Sequence, residues 1–242
     1  MAKNKSLNII SITDHDTYTI DIDQYTRDIQ IISGLELSTY YHDEPVHILG
    51  YFKNVHDISK LNLLLNDQIS SRKARAHKII TKLAEEFNIV LDPNFIDSRT
   101  TISRGTIARE IMKKYHLSMK EIFDKMIGAG CPAYFPSVKT HTAMGIKAIQ
   151  DNLGLAVLAH PMLLKKVKAQ DIIALGIDGI EAIYPHQRKF EEHYRNIAKQ
   201  NNLFVTGGSD FHFFNDGKHG NIGDVILEGK DLEIFLGKLY ER

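Results

Sequence analysis

Six short runs of apolar and β-branched residues recur along the 242-residue chain, and each is followed by a polar or glycine-containing loop. Runs of this length and composition predict buried β-strands. The stretches between several of them show helical spacing, and no internal repeat or low-complexity segment interrupts the alternation. We therefore predict an α/β fold with strands at Leu7–Thr13, Gln30–Leu35, Val46–Tyr51, Leu155–Leu158, Gly179–Ile183 and Leu203–Thr206.

The segment between the third and fourth predicted strands has a different character. Apolar residues recur there at helical spacing, first over Ile58–Ile69 and then over Ile79–Phe87. We predict that residues 1–57 and 152–242 form one barrel domain and that residues 58–151 are a helical insertion, which covers the mouth of the barrel as a lid.

Composition excludes several classes of protein. Thirty basic residues balance thirty acidic ones, so no polybasic surface indicates binding to duplex DNA or to an anionic membrane. The single cysteine, Cys131, excludes an internal disulfide framework and fits a reducing compartment. No apolar run approaches the roughly 20 residues of a membrane-spanning helix, and no signal-peptide core follows Met1–Lys5. We expect a cytoplasmic protein that binds no membrane.

Acidic and histidine residues lie at or near the ends of the predicted strands, where a barrel of parallel strands displays its catalytic groups. Taken singly, each has an ordinary explanation, such as a capped loop histidine or a salt-bridged carboxylate. Taken together, they predict a metal site, because oxygen and nitrogen donors without thiolate fit Mn²⁺, Zn²⁺ or Fe²⁺. The candidate ligands are His15, Glu36, His47, His160, Asp210 and His212.

Two of these candidates give the strongest local indication. Asp210 and His212 are two residues apart in a stretch that we expect to be extended, so both side chains project to one side after the Gly207-Gly208 turn. His15 lies between Asp14 and Asp16, which are placed to orient its imidazole. Metal ions held close together at such a site activate a water and clamp a phosphoryl group. The joint pattern therefore predicts a hydrolytic metal site.

The order and spacing of six motifs resemble the PHP (polymerase and histidinol phosphatase) superfamily of metal-dependent phosphoesterases, and most closely its small bacterial members that act on nucleoside 3',5'-bisphosphates and short RNA 5' ends. The resemblance implies a distorted seven-stranded (β/α) TIM-like barrel with a helical insertion and up to three divalent metal ions. The motifs are Thr13-Asp14-His15-Asp16-Thr17, Gly34-Leu35-Glu36-Leu37-Ser38, Val46-His47-Ile48-Leu49-Gly50, Leu158-Ala159-His160-Pro161, Gly179-Ile180-Glu181-Ala182 and Thr206-Gly207-Gly208-Ser209-Asp210-Phe211-His212.

The resemblance also implies how the ligands are shared. Glu36, His47 and His160 would form one metal position, and Glu36 would bridge to a second position that also uses Asp210. A third position would use His15 and His212. His15, Asp210 and His212 are then the residues expected to take part in catalysis.

The chain departs from the family pattern at its start. Family members begin with a strand that ends in a His-x-His pair, followed by an aspartate and a helix. Here Leu7 already lies in the second strand of that pattern, so roughly 30 residues, about one strand-plus-helix unit, and three ligands have no counterpart. We expect a truncated start, and we expect the open barrel edge at Leu7–Thr13 to be covered or paired in a homo-oligomer.

Three further residues are candidates for binding the substrate. Arg104 and Arg109 lie near Thr106, where relatives often have a histidine, and the guanidinium fork matches phosphate oxygens. His186 follows the predicted strand Gly179–Ile183 and is placed to contact a phosphate at the mouth. The competing interpretations are surface helix arginines and an ordinary loop histidine.

Together these features predict a metal-dependent phosphoesterase that hydrolyses a phosphomonoester of a nucleotide or short oligonucleotide through a metal-activated hydroxide. One alternative is a catalytically impaired metal-binding or interaction domain, because the first motif lacks a counterpart. A second alternative, a histidinol-phosphate phosphatase, predicts the same metals and differs only in its substrate.

Overall fold

The structure is a computed structural model, which describes residues 2–18, 29–53, 58–99, 101–136, 140–213 and 219–242. The chain forms two compact units, residues 1–61 with 140–242 and residues 62–139. The helix just before the fourth strand groups with the first unit, whereas the sequence division at residue 152 placed it in the insertion. The domain bounds and the lid over the barrel mouth stay predictions.

The first unit is built on a curled, half-barrel sheet of six strands in the order β1-β2-β3-β4-β5-β6. Each predicted run overlaps one of these strands, and the mixed α/β class is confirmed. The seven-stranded barrel implied by the resemblance stays a prediction. The strands are β1 (Ile9–Ile12), β2 (Gln30–Tyr41), β3 (Glu44–Phe52), β4 (Leu155–Leu158), β5 (Gly179–Ile183) and β6 (Phe204–Gly207).

One strand runs against the expected direction. β3 is antiparallel to both β2 and β4, whereas the pairs β1/β2, β4/β5 and β5/β6 are parallel. The reversal occurs at His42 and Asp43, whose φ angles of +43° and +64° fit the two-residue turn of a tight hairpin. The prediction of an all-parallel barrel was wrong at this hairpin.

β2 also extends six residues beyond its predicted end. Its second half contains Ser38 and Thr39, whose polar side chains indicated a loop. In the fold the Thr39 hydroxyl donates to the Val46 carbonyl oxygen (2.6 Å) and lies 2.9 Å from the Thr142 hydroxyl, so this buried polar group is satisfied. Glu36 therefore lies within a strand and not after its end.

The two faces of the sheet bury different elements. On the face that carries Glu36, the side chains of Ile32, Leu49 and Val157 pack with Phe235 of helix α8 (Gly229–Glu241). On the opposite face lies helix α5 (Thr142–Gln150), where a side chain at Gly145 would come within 2.7 Å of Thr39. Successive side chains of β2 point to opposite faces of the sheet. On the face that carries Glu36, the surroundings of the earlier part of the strand are apolar.

Along the chain, helix α6 (Ala169–Ile173) connects β4 to β5, and helix α7 (Glu191–Gln200) connects β5 to β6. The second unit is helical, with its own apolar core that includes Ile79, Leu83, Ile107 and Ile122. Among the described residues, no helix combines the length and the apolar character needed to cross a membrane. The second unit contains most of α1 (Ser59–Phe87), together with α2 (Asn94–Asp97), α3 (Arg104–Lys114), α4 (Met119–Ile122) and a π-helical turn, Phe123–Ile127.

A buried carboxylate fixes the loop that follows β4. Glu44, the first residue of β3, accepts hydrogen bonds from the backbone N–H groups of Lys165 (2.5 Å), Lys166 (2.8 Å) and Val167 (2.6 Å). Burial alone would raise the pKa of the Glu44 carboxyl, but these hydrogen bonds and the Lys166 charge outweigh it and lower that pKa. The backbone donors of this basic loop are therefore occupied by Glu44.

We expect Glu44→Gln to lower the melting temperature at pH 7. Poorly satisfied backbone donors cost about 1–3 kcal/mol, and each kcal/mol lowers Tm by roughly 2–4 °C in a chain of this size. Because the native pKa of Glu44 is lowered, its stabilising contribution is complete above the ordinary carboxyl pKa and disappears as the pH falls through the native value. Thermal melts of both proteins between pH 7 and about pH 3 test this.

Glu233→Gln is the matched control, because Glu233 lies exposed on α8. The control should melt like the wild type. An equal loss of stability in both variants, or a difference between wild type and Glu44→Gln that grows in acid, contradicts the role assigned to Glu44.

Candidate metal centre

The loop after β1 is pinned to β2, and this places His15 beside Glu36. The Asp16 N–H donates to the Glu36 carbonyl oxygen (2.9 Å), and the Glu36 N–H donates to the Asp14 carbonyl oxygen (3.0 Å). The buried Asp16 carboxylate accepts from the Ser38 N–H (2.7 Å) and the Ser38 hydroxyl (2.8 Å). Asp16 thus fixes the backbone on one side of His15 through Ser38.

The β2/β3 hairpin brings His47 to the same face as Glu36. Glu36 pairs with Leu49, and Ser38 pairs with His47, so Glu36 and His47 are diagonal neighbours on one side of the hairpin. The His47 Nδ1 lies 2.7 Å from the Glu36 Oε1. His47 is near the start of its strand, but the antiparallel direction of β3 puts that start level with the carboxyl end of β4.

His160 completes the group at the end of β4. The Ala159 N–H donates to the His47 carbonyl oxygen (3.1 Å), which brings the loop after β4 alongside β3. The His160 Nε2 lies 3.0 Å from the Glu36 Oε1, and the His160 N–H donates to the Glu181 carboxylate (2.9 Å). The His160 φ angle of +27° is unusual for a non-glycine residue, so these contacts hold a strained backbone in place.

A second group lies in the loop after β6. The Tyr184 hydroxyl donates to the Asp210 Oδ2 (2.6 Å), the His212 Nδ1 lies 3.4 Å from the Asp210 Oδ1, and the His219 Nε2 lies 3.7 Å from the Asp210 Oδ2. Asp210 has a φ angle of +48°. The stretch is therefore not extended as predicted, and Asp210 and His212 meet because the chain turns at Asp210.

Ring contacts join the two groups into one cluster. The ring centroids of His15 and His212 are 5.5 Å apart, those of His15 and His47 are 5.1 Å apart, and those of His47 and His160 are 5.2 Å apart. His219 stacks on His212 at 4.2 Å. All six residues predicted as metal ligands therefore lie in one neighbourhood. Their role as ligands stays a prediction.

The charges of the cluster favour a cation. Burial alone would raise the pKa of Glu36, but hydrogen bonds with His160 and His47 outweigh it and lower this pKa, so the carboxylate is charged. Burial lowers the pKa of His15 against the opposing charge of Glu36. Burial also raises the pKa of Glu181 to about 7, with further contributions from the charges of Asp210 and Glu36.

The donor set fits divalent metal ions. His15, Glu36 and His47 each offer a donor atom within 4.8 Å of the others, and so do Asp210, His212 and His219. Imidazole nitrogen and carboxylate oxygen are the ligands that Zn²⁺, Mn²⁺ and Fe²⁺ use in proteins. The His15 Nδ1 also lies 3.4 Å from the Glu36 Oε2, so both oxygens of Glu36 face imidazoles.

A cavity of about 880 Å³ opens onto this cluster. Its lining includes His15, Glu36, His160 and Asp210, together with apolar residues such as Phe235. Cavities of roughly 300–1,000 Å³ hold small organic ligands. The cluster is therefore accessible to a molecule of nucleotide size.

Of the three predicted substrate-binding residues, two belong to the second unit and one, His186, belongs to the first. Arg104, in the second unit, packs its guanidinium over Tyr134 (5.2 Å) and donates to the Ile127 carbonyl oxygen (3.2 Å). Arg109 is exposed on α3, and His186 is exposed on the turn after β5 with a φ angle of +57°. Their role in substrate binding stays a prediction.

Three residues of the cluster were absent from the sequence-based set. Glu181 had a usable signal, because it is a lone carboxylate in the apolar strand β5 and must find a partner there. Tyr184 follows the same strand, and its hydroxyl is defined only by its contact with Asp210. Apart from the glycine that follows it, nothing in the sequence around His219 indicated that it belongs to the site.

Comparison with known proteins finds relatives in sequence and in structure. No family model matches it. It is 29% identical to a 5'-3' exoribonuclease of Haemophilus influenzae, over 86% of this chain and 81% of the relative, and 25% identical to the 5'-3' exoribonuclease Rnm of Escherichia coli, over 84% and 74%.

Two solved structures share its fold. A protein from Bifidobacterium adolescentis, described as a candidate metal-dependent phosphoesterase, superposes with a TM-score of 0.77 at 24% identity, over 100% of this chain and 90% of that one. An amidohydrolase from Chromobacterium violaceum, solved with bound sulfate and no metal, has a TM-score of 0.72 at 23% identity, over 91% and 84%.

These matches confirm the resemblance drawn from the motifs. The chain is similar in sequence to proteins named 5'-3' exoribonuclease, and it shares the fold of proteins described as a metal-dependent phosphoesterase and an amidohydrolase.

We expect Mn²⁺ to raise the melting temperature of the wild type and to have little effect on Glu36→Gln. An ion that binds only the native state stabilises it by about 2.7 kcal/mol at 100 times its Kd, and Glu36 is the carboxylate that three imidazoles surround. Thermal melts with and without Mn²⁺ test this.

Glu233→Gln is again the control and should gain the same stability from Mn²⁺ as the wild type. If Mn²⁺ stabilises Glu36→Gln as strongly as it stabilises the wild type, the ion binds elsewhere and the assignment of Glu36 is wrong.

Proposed function

We propose that this protein is a metal-dependent phosphoesterase that removes phosphate from a phosphomonoester of a nucleotide or from the end of a short oligonucleotide. The observation that carries the proposal is the single cluster in which His15, Glu36, His47 and His160 adjoin Asp210 and His212 at one cavity. The names of the sequence relatives support an RNA substrate, but an exoribonuclease cleaves a phosphodiester bond, so they do not favour a phosphomonoester over a phosphodiester.

Divalent ions would be held by the imidazoles and carboxylates of the cluster. Glu36 is placed between His15 on one side and His47 and His160 on the other, which is the position of a carboxylate shared by two ions. Bound ions supply Lewis acidity toward phosphoryl oxygens and a water of lowered pKa. The residues of the chain position the substrate and exclude bulk water.

Exposure indicates which side the substrate approaches from. The side chains of His15 and His212 are 32% and 35% exposed, whereas that of Glu36 is 7% exposed. We infer that the phosphoryl group enters beside His15 and His212, with Glu36 beneath it. The Tyr184 hydroxyl holds Asp210 in place on this side of the site.

Substrate choice would be set by the cavity. The apolar part of its lining accommodates a base or the face of a sugar, whereas its carboxylates repel an anion unless cations are present. We therefore expect hydrolysis to depend on added divalent ions, and a nucleotide or short RNA 5' end to be preferred to a small sugar phosphate. Arg104, Arg109 and His186 remain candidates for contacts with further phosphates.

Release of inorganic phosphate from adenosine 3',5'-bisphosphate and from a short 5'-phosphorylated RNA tests the proposal. We expect Mn²⁺-dependent turnover by the wild type, and we expect Glu36→Gln and His160→Ala to lower kcat/KM by at least ~100-fold. Even outer partners of metal ligands contribute roughly 10–100-fold, so direct ligands should contribute more.

His193→Ala, an exposed histidine on α7, should retain full activity. Persistence of turnover after Glu36→Gln contradicts the proposed site. A wild type that binds metal but releases phosphate from neither substrate favours the metal-binding alternative, and preferential turnover of histidinol phosphate favours the second alternative.

A further inference from the structure

His219 reaches the metal cluster through a close approach of two backbone segments. The Gly220 N–H donates to the Ser209 carbonyl oxygen (2.8 Å), and this contact brings the residue before Gly220 beside Asp210. A side chain at position 220 would come within 2.7 Å of Pro185 and 2.9 Å of the Ser209 oxygen. Glycine at this position therefore permits the approach that positions His219.

The imidazole of His219 is nearly buried within the cluster. Its side chain is 12% exposed, its Nε2 lies 3.7 Å from the Asp210 Oδ2, and its ring is almost parallel to that of His212, at an interplanar angle of 17°. The His212 Nδ1 lies 3.4 Å from the other oxygen of Asp210. One carboxylate is thus flanked by two stacked imidazoles.

These separations are compatible with one shared ion. Bonds from zinc to nitrogen or carboxylate oxygen are about 2.0–2.2 Å long, so two donors of the same ion lie at most about 4.2–4.4 Å apart. The separation of 3.7 Å between the His219 Nε2 and the Asp210 Oδ2 is within this limit, and Asp210, His212 and His219 each offer a donor atom within 4.8 Å of the others.

We propose that His219 is a metal ligand, the third protein donor of a divalent-cation position formed with Asp210 and His212. The inference rests on the proposed function, because it adds a ligand to the same metal-dependent site. Three protein donors leave coordination positions for water or for a phosphoryl oxygen, which is the arrangement of catalytic rather than structural metal sites. The ligands predicted from the motifs include Asp210 and His212 but not His219.

The competing role for His219 is packing against His212. Two substitutions separate packing from ligation: His219→Ala removes both the ring and the donor, whereas His219→Phe keeps a stacking ring and removes only the donor. The exposed His193 supplies the matched control, His193→Ala.

Metal content and affinity give the direct measurement. We expect wild-type protein dialysed against Mn²⁺ or Zn²⁺ to retain about one more ion per chain than His219→Ala and His219→Phe, or to bind its last ion at least ~10-fold more tightly, by elemental analysis and calorimetric titration. His193→Ala should match the wild type. Circular dichroism checks that each variant is folded.

A second measurement needs no substitution in the cluster. Carbethoxylation of histidines, read by peptide mass spectrometry, should label His219 more slowly in metal-loaded than in metal-free wild-type protein. The labelling of His193 should not change with metal.

The outcomes separate the two proposals. Unchanged metal content and affinity in both His219 variants, or in His219→Phe alone, overturns the role of His219 and leaves the proposed function standing. Equal labelling of His219 with and without metal also overturns it. A wild type that binds no divalent ion overturns both proposals together.

Discussion

The site depends on a single buried carboxylate, Glu36, placed inside a strand and surrounded by imidazoles. A charge removed from water in this way costs several kcal/mol unless partners compensate it. Here His47, His160 and His15 approach its two oxygens at 2.7, 3.0 and 3.4 Å. Each imidazole comes from a different strand or loop, so the solvation of one side chain links β1, β2, β3 and β4. A cation bound there would replace the missing water more completely than the imidazoles do.

The direction of β3 makes this arrangement possible. In an all-parallel sheet, only residues at strand ends reach the common edge, and a histidine early in its strand would lie at the opposite edge. The hairpin reverses β3, so His47 faces Glu36 diagonally across the ladder and lies level with Ala159 at the end of β4. One antiparallel strand thus adds a ligand from the start of a strand to ligands from the ends of others.

Prediction from sequence worked where the signal was local. The strands were identifiable because short, nearly continuous apolar runs are typical of strands buried on both faces; β4 and β5 are buried in this way, whereas β1 is only partly buried. Glu36, His160 and Asp210 were noticeable because charged or polar groups in such surroundings need partners. The direction of β3 was missed because the turn at His42 and Asp43 lacks the Asn-Gly or Asp-Gly signature of tight hairpins. The full length of β2 was missed because the hydrogen-bonding partner of Thr39 is Thr142, about a hundred residues away.

Backbone strain explains why the remaining features could not be read from local patterns. Asp16, His160 and Asp210 have φ angles of +49°, +27° and +48°, a region that side-chain-bearing residues seldom occupy. Each is held by a contact with a distant residue: Asp16 by Ser38, His160 by Glu181 and Asp210 by Tyr184.

Conformations of this kind persist only when the surrounding structure over-determines them, and they concentrate at functional sites. The partner residues are therefore part of the site even though none of them was predicted as a ligand. Because Glu181 holds the backbone of His160 while Tyr184 holds the side chain of Asp210, neighbouring positions on and just after β5 support ligands on both sides of that strand. The geometry of the metal centre is thus set as much by β5, which contributes no predicted ligand, as by the strands that do.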